Sequence, residues 1–227
     1  CTGGGKVKDR VFCAVGQVVV GLGRKGKQFF SLQSSLVEPI RFLSVDEALL
    51  FTGGEYAHSR YRDGADDGFY TCPDRITAMH VQRFGDQHHV FLGCKDRRIR
   101  MVQKDELIGE ISTERPASAL AVRETSSRAY ELIVGDEGGS IMCYLCKEST
   151  LNTKEAWSIS GVAKVTCLST FDVTRDGQLD VVVGRADGLV QVISFGDGMP
   201  TVAWSQSLNE AIHSLRCGRV SSSSHDD

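Results

Sequence analysis

The stretch that decides the fold is 171–195, FDVTRDGQLDVVVGRADGLVQVISF. It holds two apolar runs, 179–183 and 189–193, both rich in β-branched residues. A short run of this kind between turn residues reads as a strand buried on both faces. Gly184-Arg185-Ala186-Asp187-Gly188 separates the runs. Asp187-Gly188 tolerates a positive φ, so a tight hairpin joins them. Upstream, Asp172-x-Thr174-x-Asp176-Gly177-x-x-Asp180 turns the chain into the first run.

The unit recurs. Phe91-Leu92-Gly93 leads through Lys95-Asp96-Arg97 into Ile99-Arg100-Met101-Val102. Leu132-Ile133-Val134-Gly135 leads through Asp136-Glu137-Gly138-Gly139 into Ile141-Met142-Cys143-Tyr144. Leu50-Phe51-Thr52-Gly53 keeps part of the unit, and Phe12-Cys13-Ala14 puts Ala14 where the others carry Gly. Positions 14, 53, 93, 135 and 184 lie 39, 40, 42 and 49 residues apart. Ala156-Trp157-Ser158 returns 47 residues later as Ala203-Trp204-Ser205. Repeats of ~40–50 residues that carry several short strands mark propeller blades. The expected fold is all-β, a β-propeller of four-stranded blades. About five blades form one domain over 1–220, 212–215 opens a sixth, and a polar, disordered tail follows over 221–227.

At 227 residues the chain suits one large all-β domain. Its net charge of −3 and pI near 6.1 leave no overall basic field for nucleic acid. No apolar run approaches the ~20 residues of a helical membrane span. The chain starts at Cys1 and shows no signal peptide; starting and ending inside the blade rhythm, it reads as a piece of a longer protein. Eight cysteines fall mostly in expected strands without framework spacing, so reduced, buried thiols and a cytosolic setting are expected. Cys143-x-x-Cys146 lacks a second pair, and residues three apart on a strand face opposite sides, which argues against zinc.

Several clusters have two readings. Arg24-Lys25-Gly26-Lys27 is a basic turn, either solvated or gripping an acidic partner. Asp63-Gly64-Ala65-Asp66-Asp67-Gly68 reads as a mobile acidic tip before an outer strand begun by Phe69-Tyr70. Tyr56, Tyr61, Phe69 and Tyr70 are contact-surface candidates or blade packing. His88 and His89 read as exposed strand-end residues. Lys95, Arg97, Arg98 and Arg100, with Lys104, form the most basic patch and the candidate partner-binding site. The plainer alternative is an edge strand protected by charge.

Asp172, Thr174, Asp176 and Asp180 place oxygen side chains at positions 1, 3, 5 and 9 of a loop with Gly177 at position 6. Calcium takes six to eight oxygen ligands, and this spacing can wrap one ion. The loop resembles the calcium loops of FG-GAP propellers such as integrin α chains, with neutral Thr174 as a departure. The alternative is an Asx-type turn bonded to its own backbone. Calcium is the one cofactor so suggested. Nucleophile-elbow, P-loop and zinc-protease motifs are absent, so no catalytic residue is expected.

Arg24-Lys25-Gly26-Lys27-Gln28-Phe29-Phe30-Ser31-Leu32, followed by Leu36-Val37-Glu38-Pro39-Ile40, resembles the Bardet–Biedl syndrome protein 7 family. Tyr56-x-His58-x-x-Tyr61, the Phe69-Tyr70 pair and Cys94-Lys95-Asp96-Arg97-Arg98-Ile99-Arg100 continue the likeness in order. Its strongest part runs from Phe171-Asp172 to Ser194-Phe195. The resemblance implies the middle blades of a seven-bladed propeller in a subunit of the BBSome, a coat-like complex that carries membrane proteins into and out of cilia. It implies a non-enzymatic scaffold for ciliary trafficking and cilium assembly. Its partners would be other BBSome subunits and ciliary membrane-protein cargo. Its locations would be cytoplasm, cilium, ciliary membrane and basal body. The rival readings are an extracellular, calcium-binding adhesion propeller of FG-GAP type and a propeller enzyme with a charged central channel.

Overall fold

The computed structural model describes residues 10–125, 130–196 and 198–218. Among them are nineteen strands and no helix, in five antiparallel sheets. The first sheet is β1 (Arg10–Val15), β2 (Val18–Gly23) and β3 (Gln28–Gln33). The second is β4 (Phe42–Asp46), β5 (Leu49–Gly53), β6 (Ala57–Arg62) and β7 (Ala65–Thr71). The third is β8 (Ile76–Phe84), β9 (Gln87–Cys94), β10 (Arg98–Gln103) and β11 (Glu106–Ser112). The fourth is β12 (Ala117–Glu124), β13 (Tyr130–Asp136), β14 (Ile141–Lys147) and β15 (Thr150–Ile159). The fifth is β16 (Val165–Phe171), β17 (Asp180–Arg185), β18 (Leu189–Ser194) and β19 (Thr201–Ser207). Each sheet is an up-and-down meander, the form of a propeller blade. The tail expected over 221–227 lies outside the described residues.

The inner strands β8, β12 and β16 lie side by side, and apolar side chains fill the space between successive sheets. One cluster joins Phe91, Met101 and Ile111 of the third blade to Leu120, Leu132 and Tyr144 of the fourth. Another joins Ile133, Ile141 and Cys143 of the fourth to Val181, Val183 and Phe195 of the fifth. A β-branched strand buried on both faces sits between two such layers, which is why β13 and β17 are nearly continuous apolar runs.

The recurring glycine marks the joint between blades. A Cβ built on Gly93 would stand 2.9 Å from the Cβ of Ala117, and one on Gly184 would stand 2.6 Å from Ile212 Cγ2. One on Gly135 would stand 2.6 Å from Val165 Cβ. In each case the obstacle is the residue that opens the next inner strand or its counterpart. Beside it stands a hydroxyl on a β-bulge. Thr77 Oγ1 donates to the carbonyls of Gly93 (3.0 Å) and Ala117 (2.5 Å), and Ser118 Oγ to those of Gly135 (3.2 Å) and Val165 (2.6 Å). Thr166 Oγ1 donates to Gly184 O at 3.0 Å. The ladder shifts register at all three hydroxyls. A bulge re-aims one side chain out of the pleat, here toward the neighbouring blade.

The first sheet has three strands among the described residues, which begin at Arg10. Ile40 N–H donates to Gly16 O, as Ile76 does to Glu55 O and Ile212 to Arg185 O. This matches β1 to β5, so Ala14 holds the place of Gly53, the phase expected from the repeat. Val11 and Val15 on β1 are accordingly 63% and 67% exposed.

Four expectations are corrected. Residues 212–215 form no strand; Ile212 is buried against Val182, Val190 and Val192, yet the segment has no ladder partner among the described residues. The acidic stretch 65–68 lies within β7, because Asp63 and Gly64 both take positive φ and close a two-residue turn at once. His88 and His89 are buried, facing Phe51 and Phe84 respectively. β10 is an interior strand between β9 and β11, so charge protection of a sheet edge does not describe it. Cys143 and Cys146 do face opposite layers, one in each of the two clusters above. Burial pushes the Cys146 thiol up to about 12 and raises Cys143 further, and the described cysteines are free thiols.

Candidate functional site

The turns between second and third strands share one face of the propeller with the linkers that enter each next blade. Backbone bonds tie the two sets together: Lys95 N to Arg75 O, Glu137 N to Pro116 O, and Ala186 N to Lys164 O. Glu38, in the first linker, accepts from the N–H groups of Glu55 and Tyr56 through Oε1, at 2.9 and 2.8 Å. The Leu36–Ile40 region therefore works as a clasp over the β5–β6 turn.

The basic patch lies at the β9–β10 turn on this face, and most of its charge is matched. Lys95 Nζ sits 2.8 Å from Glu137 Oε1, and Lys164 Nζ reaches the same oxygen at 3.8 Å. Arg98 pairs with Glu110 across the ladder. Arg100 is only 4% exposed, 2.5 Å from Asp96 and 3.0 Å from Glu110. Burial works against its charge, but Asp96, the neighbouring thiol and Glu110 outweigh it and hold the guanidinium above its ordinary pKa. Arg100 is thus an internal cross-brace. Arg97 is exposed and makes no salt bridge among the described residues.

Spacing alone did not reveal the carboxylates that neutralise the patch. Glu137 is 42 residues from Lys95, one blade away, so only the repeat length could have brought the two together. Three further arginines are buried. Arg123 pairs with Glu131 at 2.7 Å and lies 3.4 Å over the Phe195 ring. Arg185 donates to Gly139 O (2.6 Å) and Ala163 O (3.0 Å), and burial lowers its pKa. Arg60 stands 2.7 Å from Asp67, which also meets Arg62 at 3.4 Å. Arg123 and Arg185 join neighbouring blades, while Arg60 braces its own.

In the 172–180 loop the carboxylates face backbone donors. Asp180 is fully buried, and its Oδ2 accepts from the N–H groups of Val173 and Thr174, both at 2.8 Å, and from Thr174 Oγ1 at 3.1 Å. Asp172 accepts from Asp176 N (3.2 Å) and Gly177 N (3.1 Å), and Asp176 from Gln178 N (2.8 Å). This is the geometry of nested Asx turns. Among the described residues no group of three or more His, Cys, Asp or Glu gathers as metal ligands.

The exposed aromatic Trp204 has a partly buried counterpart. Trp157 packs on Phe195 of the next blade at 5.5 Å, while Trp204, at the same place in the fifth blade, is half exposed. Of the tyrosine candidates, Tyr61 is buried and bonds Ser34 and Ser35, while Tyr56 and Phe69 stand in solvent.

Comparisons with known proteins agree with this architecture. A BBSome complex member BBS7 of Mus musculus is 29% identical over 97% of the chain, and a BBSome complex member bbs-7 of Caenorhabditis elegans is 26% identical over 98%. The chain spans 32% of the length of each. Among solved structures, BBS1N in complex with ARL6DN superposes with a TM-score of 0.67 at 16% identity, covering 88% of this chain and 62% of that one. The WD40 β-propeller domain of Doa1 gives 0.68 at 15% identity, covering 87% and 64%. Those two show the fold alone. The BBS7 beta-propeller family model matches residues 2–227, through every blade, joint and turn described above. The chain belongs to the BBS7 beta-propeller family.

Proposed function

We propose that this chain is a non-catalytic platform of the BBSome, docking onto other subunits of that complex and onto ciliary membrane-protein cargo. Its work is ciliary membrane-protein trafficking and cilium assembly, in the cytoplasm, at the basal body and at the ciliary membrane. The observation that carries this reading is the family match along nearly the whole chain. Two features support a platform over an enzyme. The buried ionisable groups brace blades, as Arg100, Arg123 and Arg185 do. The linker face presents short, tightly bonded turns of the kind that recognise partners. Lys95, Arg97 and Arg98 on that face are the contact residues.

Co-expression of the protein, at its natural length, with the other BBSome subunits tests the reading. Elution in one complex is expected; a protein that folds yet never joins the others would end it.

A further inference from the structure

Three blades close their second turn in the same way. Arg97 N–H donates to Cys94 O, Gly139 N–H to Asp136 O and Gly188 N–H to Arg185 O, at 3.2, 3.3 and 3.2 Å. The final residue of each turn is left-handed, with φ of 63° at Arg97, 98° at Gly139 and 88° at Gly188. In two blades that residue is the one that adopts this backbone without strain. In the third it is an arginine.

Other left-handed side chains occur here, Glu47 and Lys104 among them, and Gly26, Gly85 and Gly198 take similar angles. Those three glycines have open space where a Cβ would be. Gly139 and Gly188 do not. A Cβ there would stand 2.6 Å from Ala163 O and 2.7 Å from Glu210 O, in the linker entering the next blade. Arg97 therefore occupies a position that is both conformationally strained and crowded in its counterparts. The linker beside it is fastened by Thr113, whose N–H and Oγ1 both donate to Arg97 O and whose Oγ1 also donates to Arg115 O. Persistent backbone strain at an exposed side chain points to use of that side chain.

Its neighbours point to what it meets. Lys95, Arg98 and Arg100 each have a carboxylate, and Arg97 has none among the described residues. A planar guanidinium with free donors suits bidentate binding of a carboxylate. Anionic membranes are held by clusters of several unpaired cations, whereas on this face Lys95, Arg98 and Lys164 are matched by carboxylates, and among the described residues Arg97 and Arg115 stand exposed without one.

We propose that Arg97 is the specific ionic contact of the linker face, held in a strained turn to grip an Asp or Glu side chain of a partner protein. This rests on the platform reading above.

The test uses the natural-length protein with Arg97→Gly and Arg97→Gln, co-expressed with the other BBSome subunits. Arg97→Gly relieves the turn, so it melts about 2–4 °C higher and joins the complex roughly tenfold more weakly. Arg97→Gln keeps the strain and loses the charge; it melts like the natural protein and joins as weakly as Arg97→Gly. Unchanged assembly in both variants overturns the proposal. A short synthetic Asp/Glu-rich peptide and vesicles of phosphatidylcholine with phosphatidylserine serve as direct probes. If even the natural protein fails to join the complex, the platform reading falls. The peptide then decides alone: binding lost in both variants upholds the ionic contact, and binding equal to the natural protein's, or no binding at all, rejects it. An effect of Arg97 on vesicle binding and not on the peptide assigns the face to membrane and also overturns the proposal.

Discussion

Ser118 Oγ donates across a blade boundary to the carbonyl of Val165 at 2.6 Å, while holding Gly135 O in its own blade at 3.2 Å. Thr77 makes the same pair of bonds one blade earlier. One hydroxyl on a bulge thus serves two sheets. Removing it leaves a partly buried carbonyl short of a donor on each side. We expect Ser118→Ala and Thr77→Val each to lower stability by about 1–2 kcal/mol, and, because Thr77 bonds the carbonyl of the peptide that leads into Ser118, the double variant to depart from the simple sum. Urea unfolding at neutral pH measures both, and unchanged midpoints would show that the bonds contribute nothing.

The Gly135–Val165 approach gives a second prediction. Gly135→Ala places a methyl against the Val165 side chain, with the Cβ atoms 2.6 Å apart. Overpacking of this kind costs about 1–3 kcal/mol. Gly135→Ala combined with Val165→Ala should recover part of that loss, whereas two independent defects would simply sum. Thermal melts of the single and double variants distinguish the two cases.

His58 makes the fold acid-sensitive. It is fully buried, its Nδ1 lies 3.1 Å from Thr52 O, and burial lowers its pKa to about 4. The unfolded chain binds this proton near pH 6.5, so it holds more protons than the native state between about pH 6.5 and 4. Stability is complete above that window and declines as pH falls through it, by up to about 3 kcal/mol from this residue. His80 is lowered to about 4 by burial and acts in the same direction. Chemical denaturation at successive pH values should show the slope. In His58→Phe, which keeps a ring beside Phe51, the slope should be shallower.

The 172–180 loop separates a folding role from a metal role. Asp180→Ala strips a buried acceptor from two N–H groups and a hydroxyl and should cost about 2–3 kcal/mol. Asp176→Ala, at an exposed position, should stay within about 0.5 kcal/mol of the natural protein. With the carboxylates already engaged by backbone donors, calcium at about 1 mM should leave the melting temperature unchanged. A calcium-dependent rise that Asp172→Ala abolishes would establish the loop as an ion site.

Much of the fold was legible because its joints demand particular residues. Gly53, Gly93, Gly135 and Gly184 set the blade period, and the structure explains why: the next blade stands where a side chain would be. Ala14 kept the same phase in a blade whose inner strand is not among the described residues. The candidate site was less legible. The four basic residues were visible as a cluster, but not that Glu137, Glu110 and Asp96 neutralise three of them. Glu137 arrives from a different blade and Glu110 from a different strand, at separations that carry no local pattern, while Asp96 stands four residues from Arg100 in the turn before β10. The burial of His58, His88 and His89 was hidden for the same reason. Polar side chains in strands read as surface until a second sheet covers them.

Glu137 holds Lys95 on one side and Lys164 on the other. A single carboxylate therefore mutes two ammonium groups at the rim between the third and fifth blades. Drift at that one position would turn a silent stretch of surface basic without disturbing a strand, a short mutational route by which a propeller of this kind could change what it attracts.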